Sequence, residues 1–292
     1  MKEIAAPSDL AAQLEKVDYI ADEGLATVGY LAISMQRPLF VEGEPGTGKT
    51  ALATALAEAL DIPLIRLQCY EGINAQQALY DWDFARQILH LRALETSKGE
   101  LDADKTESVL YSEKFLLARP ILRALRESPA VLLIDEIDRA DDEFEAFLLE
   151  VLSQYQVSIP ELGTVGATTP PIVVLTSNRT RDVHDALKRR CLYHWIDHPS
   201  LERETQIVRA RLPEVSEKLT QRVVEVVQFL REENRLIKLP GVAETIDWAR
   251  AVHELGREDL DLESAQLTLG ALSKYREDTD HLKAVLAERL GS

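Results

Sequence analysis

The chain has 292 residues, enough for one large domain and a smaller one, and its 46% hydrophobic and 28% charged residues are typical of a globular protein. The formal net charge of −17 disfavours a nucleic-acid surface, because phosphate neutralisation requires clustered lysine and arginine. No apolar run approaches the roughly 20 residues of a membrane span, and no signal pattern opens the chain. Cys69 and Cys191 both lie in apolar segments, so we expect reduced thiols and a cytoplasmic protein.

The first predicted element is a helical lead-in. Residues 8–36 carry apolar side chains at three- and four-residue steps, which is the spacing of a helix face. Ser8 is a candidate N-cap for this segment. We expect most of the lead-in to pack against the domain that follows it.

A phosphate-binding pattern follows. The apolar run at 38–41 predicts a buried strand and residues 51–60 predict a helix; between them, Gly-Glu-Pro-Gly-Thr-Gly-Lys-Thr matches GxxxxGK followed by Ser or Thr. Glycines let several amide groups point at phosphate oxygens, and the helix N-terminus adds unpaired N–H donors. Lys49 can reach the β- and γ-phosphates, and the Thr50 hydroxyl can bind Mg²⁺. The predicted nucleotide-binding residues are Gly43, Pro45, Gly46, Thr47, Gly48, Lys49, Thr50 and Ala51.

The next segment mixes a strand with less regular sequence. Residues 63–70 predict a second strand, and a predicted helix follows it. That helix carries Tyr80, Trp82 and Phe84, whose aromatic rings favour core packing over a role as a ligand platform. Residues 92–114 are polar and charged, and we interpret them as an exposed insertion that leaves the core fold.

Two adjacent carboxylates end the next predicted strand. Residues 129–136 contain four consecutive apolar residues before Asp135 and Glu136, which predicts a buried parallel strand whose carboxyl end carries chemistry. Asp135 is placed to hold Mg²⁺, often through water, and Glu136 to act as general base on an attacking water. Two solvated surface acids are the alternative. The pair predicts hydrolysis of the bound nucleotide.

A second acidic segment follows this pair. It contains Asp138, Asp141, Asp142, Glu143 and Glu145. A metal cage is one interpretation, but the ligand spacing of a calcium loop is absent. A solvated face with acids at a helix N-terminus is the favoured interpretation.

The remaining predicted elements complete an α/β unit and then become helical. Residues 143–154 predict a helix, 156–169 a hairpin, 171–178 a buried strand, 179–187 a short helix and 192–196 a last strand. Asn178 ends its strand and can orient the same attacking water. Beyond Pro199 we find only helical periodicity, including a predicted helix over 262–275. This change predicts an α/β nucleotide-binding domain over residues 1–199 and a helical domain over 200–292.

With these residues in order, the chain resembles an AAA+ ATPase. Four segments match Walker A, Walker B, sensor 1 and the arginine finger of that superfamily in order and spacing. They are Gly43–Thr50, Val131–Asp138, Thr176–Asn178 and Lys188–Arg190. The helical tail is similar to the AAA+ lid.

Within AAA+, the chain is similar to the MoxR family. The shared segments are the acidic run Asp135–Ala140, the helix Phe147–Leu152 and the hairpin Gln156–Pro160. It resembles the branch that matures molybdenum- and copper-containing carbon monoxide dehydrogenase. Those segments are Cys69–Gly72, Ala78–Phe84 and Cys191–Trp195.

The resemblance implies a P-loop NTPase fold with a five-stranded parallel sheet, flanking helices and a small all-α lid. It also implies ATP and Mg²⁺ as cofactors, a hexameric homo-oligomeric ring, a partner with a von Willebrand factor A domain, and chaperone-like maturation or metal insertion in a client metalloenzyme. Asn178 corresponds to sensor 1. Arg190 corresponds to the finger that reaches the next subunit's γ-phosphate, with Arg189 as its rival.

Three features stay open at this point. Where many relatives carry a lid arginine, this chain has Glu244; Lys238 or Arg250 are candidate replacements, and no sensor 2 residue is assigned. Tyr70 is a candidate pore-facing residue, with core packing as the alternative. Two other functions are a nucleotide-gated binding module with slow hydrolysis and, disfavoured by the net charge, a nucleic-acid motor.

Overall fold

The structure, a computed structural model, describes residue 2, residues 4–96 and residues 109–290. The strands in chain order are β1 (Leu39–Gly43), β2 (Leu64–Gln68), β3 (Tyr80–Trp82), β4 (Leu116–Ala118), β5 (Val131–Asp135), β6 (Gln156–Ile159), β7 (Gly163–Gly166), β8 (Ile172–Ser177) and β9 (Leu192–Ile196). The helices are α1 (Pro7–Glu15), α2 (Glu23–Ser34), α3 (Lys49–Leu60), α4 (Ala75–Leu79), α5 (Phe84–Thr96), α6 (Pro120–Arg126), α7 (Asp142–Gln154), α8 (Asp185–Arg190), α9 (Leu201–Arg211), α10 (Glu217–Glu233), α11 (Val242–Glu254), α12 (Leu262–Leu267), α13 (Leu269–Leu272) and α14 (Arg276–Leu290). Short 3-10 helices lie at Glu113–Phe115 and Ile137–Arg139.

Five strands form one parallel sheet in the order β2-β5-β8-β1-β9. The predicted fold, five parallel strands with flanking helices and a helical tail, is confirmed. Strands β1 and β5 are buried along their whole length, which explains the apolar runs Leu39–Val41 and Val131–Ile134 within them. Because the strands are parallel, their carboxyl ends meet at one edge, where Gly43, Asp135 and Ser177 end β1, β5 and β8.

The sheet separates two apolar cores. Leu39 and Val41 point to the face covered by α1, α2 and α3, whereas Phe40 points to the face covered by α4, α6 and α7. Cys69 and Cys191 are free and buried on the second face. Burial raises the pKa of each thiol to about 12, so both stay protonated at neutral pH.

The tail from α9 to α14 packs around a core of its own, with Trp248 fully buried in it. Under the first turn of α11 lies a buried ion pair, in which Arg231 donates to both carboxylate oxygens of Glu204 at 2.6 and 2.8 Å. Thr245 in α11 donates to the same carboxylate at 2.7 Å. These contacts fix the start of α11, the part of the tail that reaches the phosphate loop.

The helical lead-in differs from the prediction. Residues 8–36 are not helical throughout, because α1 ends at Glu15 and α2 begins only at Glu23. Asp18, with φ of +57°, lies in the break. Ser8 is not the N-cap, since α1 starts one residue earlier at Pro7 and Ala6 precedes it.

The predicted helix with three aromatic residues is also wrong in part. Tyr80 and Trp82 lie in β3, which pairs antiparallel with β4, and α5 begins at Phe84. In the predicted insertion 92–114, α5 continues to Thr96, and residues 97–108 lie outside the described residues.

Two predicted helices change their bounds. The short helix expected at 179–187 is found at Asp185–Arg190, because the residues before it form a loop in which Thr180 donates to Asp138. The helix expected at 262–275 is divided into α12 and α13.

Candidate nucleotide-binding site

The phosphate loop connects β1 to α3 and is shaped by its glycines. Gly46 and Gly48 have φ values of +83° and +95°, which residues with a Cβ atom rarely adopt. Lys49 is the first residue of α3, and its Nζ donates to the carbonyl oxygens of Gly43 at 2.7 Å and Glu44 at 2.6 Å. The side chain therefore lies folded back under the loop, with the N-terminus of α3 facing the pocket.

Lys49 is buried, with only 6% of its surface exposed. Burial lowers the pKa of its ammonium group to about 8, and the carboxylates of Asp138, Asp135 and Glu136 oppose that shift. A phosphate group beside the ammonium would restore the favourable surroundings of the charge. The lysine is therefore suited to an anionic ligand.

Asp135 joins the loop to the centre of the sheet. Its Oδ1 accepts hydrogen bonds from Thr50 at 3.0 Å and Thr176 at 2.6 Å, and its Oδ2 pairs with Arg66 at 2.6 Å. Thr50 and Asp135 thus present a hydroxyl and a carboxylate side by side, as a Mg²⁺ ion bound through one carboxylate and nucleotide phosphates requires. The residues fit that ion.

The described residues contain no metal site that side chains alone could form. Within residues 4–96 and 109–290, no group of three or more His, Cys, Asp or Glu side chains could hold a metal ion. The expected solvated face is confirmed for Asp141, Asp142 and Glu143, which are exposed at the start of α7. It is wrong for Asp138 and Glu145, which are each 2% exposed. Asp141 does cap the start of α7, where it accepts from the amide of Phe144.

Glu136 follows β5 in a left-handed conformation, with φ of +55°. Its Oε1 accepts from Asn178 Nδ2 at 3.1 Å, and its Oε2 accepts from Gln68 Nε2 at 3.0 Å and lies 3.3 Å from Arg139. The amide of Glu136 donates to Thr176 at 2.9 Å. The backbone turn and the side-chain contacts hold the carboxylate beside the pocket that contains Asp135.

Sequence reasoning missed Arg66 and Gln68, and it placed Thr176 in the sensor 1 segment without predicting its contact with Asp135. Arg66 and Gln68 alternate with buried residues on β2, and β2 lies next to β5, so both side chains reach the carboxylates. The alternating pattern was a signal for two polar positions on one face. Thr176 lies on β8, the other neighbour of β5.

These groups surround a pocket of about 400 Å³ in which four parts of the chain meet. The loop, the strand ends, the break in the lead-in and the tail all contribute. The lining includes Pro45–Ala51, Asp135, Glu136, Asn178, Asp18–Ile20, Ile207, Arg211, Val242, Ala243 and Ile246. The phosphate loop forms the polar side, and Ile20, Ile207 and Ile246 supply an apolar side for a base.

The tail touches the phosphate loop at Gly241. A Cβ at this position would lie 2.8 Å from Gly46 Cα and 2.9 Å from Pro45 O, so only glycine permits the approach. Ala243 N also donates to Gly46 O at 3.3 Å. Glu244 accepts from Gly241 N at 2.9 Å and caps α11.

The position at which many relatives carry the lid arginine is Glu244 in this chain, so no positively charged side chain lies there. The candidate replacements Lys238 and Arg250 do not line the pocket, whereas Arg203 and Arg211 do. Arg203 donates to Asp22 and to the carbonyl oxygen of Ile20, so α9 is tied to the break in the lead-in. The tail thus contributes positive charge from α9 rather than from α11.

Arg189 and Arg190 lie away from this pocket. Both are exposed at the end of α8, and neither guanidinium group has a hydrogen-bond or ion-pair partner among the described residues. In the sheet, Leu192 pairs with Leu39, at the opposite end of β1 from Gly43. At the rise of a strand the two ends of β1 are about 13 Å apart. Arg190 does not line the pocket of its own chain.

Tyr70 is 45% exposed, so the core-packing alternative for this residue is wrong. It lies two residues after β2, near the end of that strand that carries Gln68. Its role in a pore stays a prediction.

The fold and the site define a P-loop NTPase of the AAA class: a phosphate loop after β1, paired acids at the end of β5 and a polar residue after β8, on a five-stranded parallel sheet followed by helices. The model of one family, the AAA domain of the dynein-related subfamily, matches residues 38–191. The chain belongs to this family.

Related proteins share modest identity with the chain. An uncharacterised protein of Staphylococcus haemolyticus is 23% identical over 248 residues, or 82% of this chain and 85% of that protein. The gas vesicle ATPase GvpN of Haloferax mediterranei is 27% identical over 212 residues, or 68% of this chain and 58% of GvpN. An uncharacterised protein of Staphylococcus aureus is 24% identical over 170 residues, and the chain spans only 57% of its length.

Solved structures show the same fold. The Thermotoga maritima RuvB Holliday junction branch migration motor has a TM-score of 0.51 at 14% identity, covering 98% of this chain and 84% of that one. A mutant form of Thermotoga maritima RuvB has a TM-score of 0.52, also at 14% identity, covering 99% of this chain and 80% of that one. At this identity the likeness is one of fold alone. In the described part of the chain, no helix has both the length and the apolar character needed to cross a bilayer.

Proposed function

We propose that the chain is an ATP-hydrolysing enzyme that works as a ring of identical subunits. The observation that carries the proposal is the pair of acids at the end of β5. Asp135 is hydrogen-bonded to Thr50 of the phosphate loop, and Glu136 is held by Asn178 at the other side of the same pocket. Nucleotide binding alone does not require the second acid in that position.

Each residue has a distinct part in the proposed reaction. The amides of residues 46–50 and Lys49 bind the phosphates, while Thr50 and Asp135 would hold Mg²⁺, which would supply positive charge to the phosphate groups. Glu136 accepts a proton from the attacking water, and Asn178 orients that water. The water oxygen forms a bond to the γ-phosphorus as the bond between that phosphorus and the bridging oxygen breaks, which gives ADP and phosphate. The proton on Glu136 then passes to the products or to solvent.

The remaining positive charge comes from a neighbouring subunit. Arg190 is exposed, has no side-chain partner in the described ranges and does not line the pocket of its own chain. It lies before β9, at the end of β1 that is about 13 Å from Gly43. We assign it as the arginine finger of the next subunit's site, with Arg189 as the alternative. A guanidinium at the transferring phosphoryl group is worth roughly 10³–10⁵ in rate.

The finer assignment follows the sequence resemblance. We propose a division into a nucleotide-binding domain over residues 1–199 and a lid over 200–292, supported by the separate apolar core of the tail. The MoxR-type segments support a cytoplasmic, hexameric, chaperone-like remodeller with a von Willebrand factor A partner. Its proposed client is a metalloenzyme such as molybdenum- and copper-containing carbon monoxide dehydrogenase.

Dilution tests the ring. ATP turnover per subunit is measured with Mg²⁺ over a range of protein concentrations, beside light scattering to follow the assembly. We expect turnover per subunit to fall as the assembly dissociates, and to vanish in EDTA. A rate per subunit that stays constant down to clearly monomeric protein contradicts the proposal.

A nucleotide-gated binding module is the second candidate, and one observation favours it. Both oxygens of Glu136 are occupied, by Asn178 on one side and by Gln68 and Arg139 on the other, which leaves the base restrained. Such a protein would need ATP only to order a partner surface. Glu136→Gln separates the two functions: retained ATP binding with lost client maturation supports the remodeller, whereas full maturation supports the module.

A further inference from the structure

Arg37 holds the end of the helix that carries the proposed finger. It lies between α2 and β1, and its guanidinium group donates to three successive carbonyl oxygens. The acceptors are Arg189 O at 2.9 Å, Arg190 O at 3.1 Å and Cys191 O at 3.2 Å. These contacts bridge more than 150 positions of sequence.

The other carbonyl groups of this turn are satisfied locally. Cys191 N donates to Lys188 O at 3.1 Å, and Cys191 Sγ donates to Leu187 O at 3.2 Å. The last carbonyl groups of a helix lack partners within the helix itself. Arg37 donates to the carbonyl groups at the end of α8 that do not accept from Cys191. A planar guanidinium group with several fixed donors can bond several carbonyl oxygens at once, which an ammonium group does less well.

The same connection fixes α8 to β1. Pro38 O accepts from Leu192 N at 2.8 Å, immediately beside the Arg37 contacts. Lys188 Nζ lies 4.0 Å from Glu42 Oε1 further along β1. The strand that ends in the phosphate loop thus also supports the helix that ends in Arg190.

Arg189 and Arg190 depend on this support for their direction. Helix α8 has only six residues, and neither arginine side chain has a partner of its own in the described part of the chain. The path of their side chains is therefore set by the backbone of the last turn. A shift of that backbone by about 1 Å is enough to misplace a catalytic group and reduce the rate by about 10².

We infer that Arg37 is a positioning residue for the arginine finger: it acts on the neighbouring subunit's ATP through the backbone of α8, and not on its own pocket. This inference rests on the proposed function, in which Arg190 acts in the next subunit. It separates Arg37 from a residue that only stabilises the fold, because the defect of an Arg37 variant should appear in one direction across the subunit interface.

Mixed rings test that direction. Arg190→Ala subunits keep an intact pocket but give no finger, and Glu136→Gln subunits give a finger but do not hydrolyse. Each alone should be nearly inactive, and mixing them should restore turnover at the Arg190→Ala pockets. No recovery in this mixture contradicts the finger in trans, and therefore the proposed function itself.

Arg37→Gln is then added to one partner at a time. In the Glu136→Gln donor we expect recovery to fall about tenfold to 10², whereas in the Arg190→Ala acceptor we expect recovery within about twofold of the original mixture. Equal recovery with the modified and unmodified donor overturns the inference, and so does a loss of the same size from the acceptor. Arg37→Lys, which keeps the charge but not the planar group, should give an intermediate donor.

A matched control excludes a general effect of removing a helix cap. Lys274 Nζ donates to Gly270 O at 2.9 Å and Ala271 O at 3.0 Å, so it caps a helix end in the tail. Lys274→Gln in the donor should leave recovery unchanged. Melting temperature and ring assembly are measured for each variant; an Arg37→Lys donor that folds and assembles normally and loses no recovery overturns the inference even where Arg37→Gln does not fold.

Discussion

The two ends of β1 differ in how their functional residues are held. At the carboxyl end, Lys49, Asp135 and Glu136 each contact other polar groups of the same chain, and the tail covers the loop. At the amino end, the side chains of Arg189 and Arg190 are exposed and make no polar contact within the described residues. The contrast supports the proposal that one chain completes nucleotide binding by itself, whereas rapid turnover at its pocket requires an exposed arginine from a neighbouring subunit.

The largest expected effect tests the exposed end. Arg190→Ala should lower the turnover of the assembled protein by roughly 10³ or more, because positive charge at the transferring phosphoryl group is lost. Its affinity for ATP should stay within about twofold of the original, since Arg190 lies outside the pocket. Turnover is measured by phosphate release and affinity by calorimetry.

Arg189→Ala is the matched variant for this prediction. The two arginines are adjacent on the same exposed turn, so loss of general surface charge affects them alike. A larger loss of turnover in Arg189→Ala identifies Arg189 as the finger. If either variant loses ATP affinity by as much as it loses turnover, the arginine takes part in nucleotide binding. That result contradicts the conclusion that the two ends of β1 have separate roles.

The second prediction concerns the cover over the carboxyl end. Gly241→Ala places a Cβ 2.8 Å from Gly46 Cα, against backbone that cannot move as a flexible side chain would. The tail must shift away from the phosphate loop, and we expect ATP affinity to fall about tenfold, equivalent to about 1.4 kcal/mol. Calorimetric titration with ATP measures the change.

Gly270→Ala is the control for adding a methyl group to the tail. A Cβ at Gly270 meets nothing within 4 Å, and the residue lies in α13. Alanine is the better helix former there, so stability should stay equal or rise slightly while ATP affinity is unchanged. Unaltered affinity in Gly241→Ala would mean that the tail does not hold the loop in its binding conformation.

The third prediction tests the restraint on the general base. Gln68→Ala removes one of the donors to Glu136 Oε2, so the carboxylate can turn toward water more easily. We expect basal turnover to rise about fivefold, which corresponds to about 1 kcal/mol for one hydrogen bond. Turnover is measured at saturating ATP. Gln77→Ala, a change to an amide that caps α4, should leave it unchanged, and a fall in Gln68→Ala shows that Gln68 positions the base instead.

The contrast between the ends of β1 also separates what sequence could and could not predict. The phosphate loop, Asp135 and Glu136 could be predicted as candidates because each depends on a local pattern: a turn, a helix start or a buried strand end. The structure brings Pro45–Thr50, Asp135 and Glu136 to one pocket. Arg66 and Gln68 were missed because their contacts depend on β2 lying next to β5, and strand order has no local signal.

Long-range contacts explain the other errors. Glu145 was predicted to be a surface acid on the first turn of α7. It is buried instead, where Arg181 and the amide of His184 donate to its carboxylate. Arg37 carries no motif, since its partners lie more than 150 positions away. The break in the lead-in depends on the packing of α9, as Arg203 binds Asp22 and Ile20.

The smallest expected effect concerns that break. Burial disfavours the charged form of Asp22, but the Leu25 amide and the Arg203 guanidinium outweigh it and hold its pKa below the usual value. Asn can still cap α2, so Asp22→Asn mainly removes the charge paired with Arg203 at 2.7 Å. Because the pair is partly exposed, we expect a melting-temperature loss of at most about 2 °C at neutral pH.

The pH dependence of this loss follows from the direction of the shift. A carboxyl group whose pKa is lowered in the folded state stabilises the protein above the unfolded-state pKa of about 3.9, and this contribution disappears as pH falls through the folded-state value. The difference in melting temperature between the original protein and Asp22→Asn should therefore be constant from about pH 8 to 5 and shrink below about 4.

Glu217→Gln removes an exposed ion pair with Arg209 that does not line the pocket, so it should not alter ATP affinity. Asp22→Asn should weaken ATP binding by about twofold through the residues that Arg203 holds. An equal affinity for both variants means that the pair between Asp22 and Arg203 does not contribute to nucleotide binding.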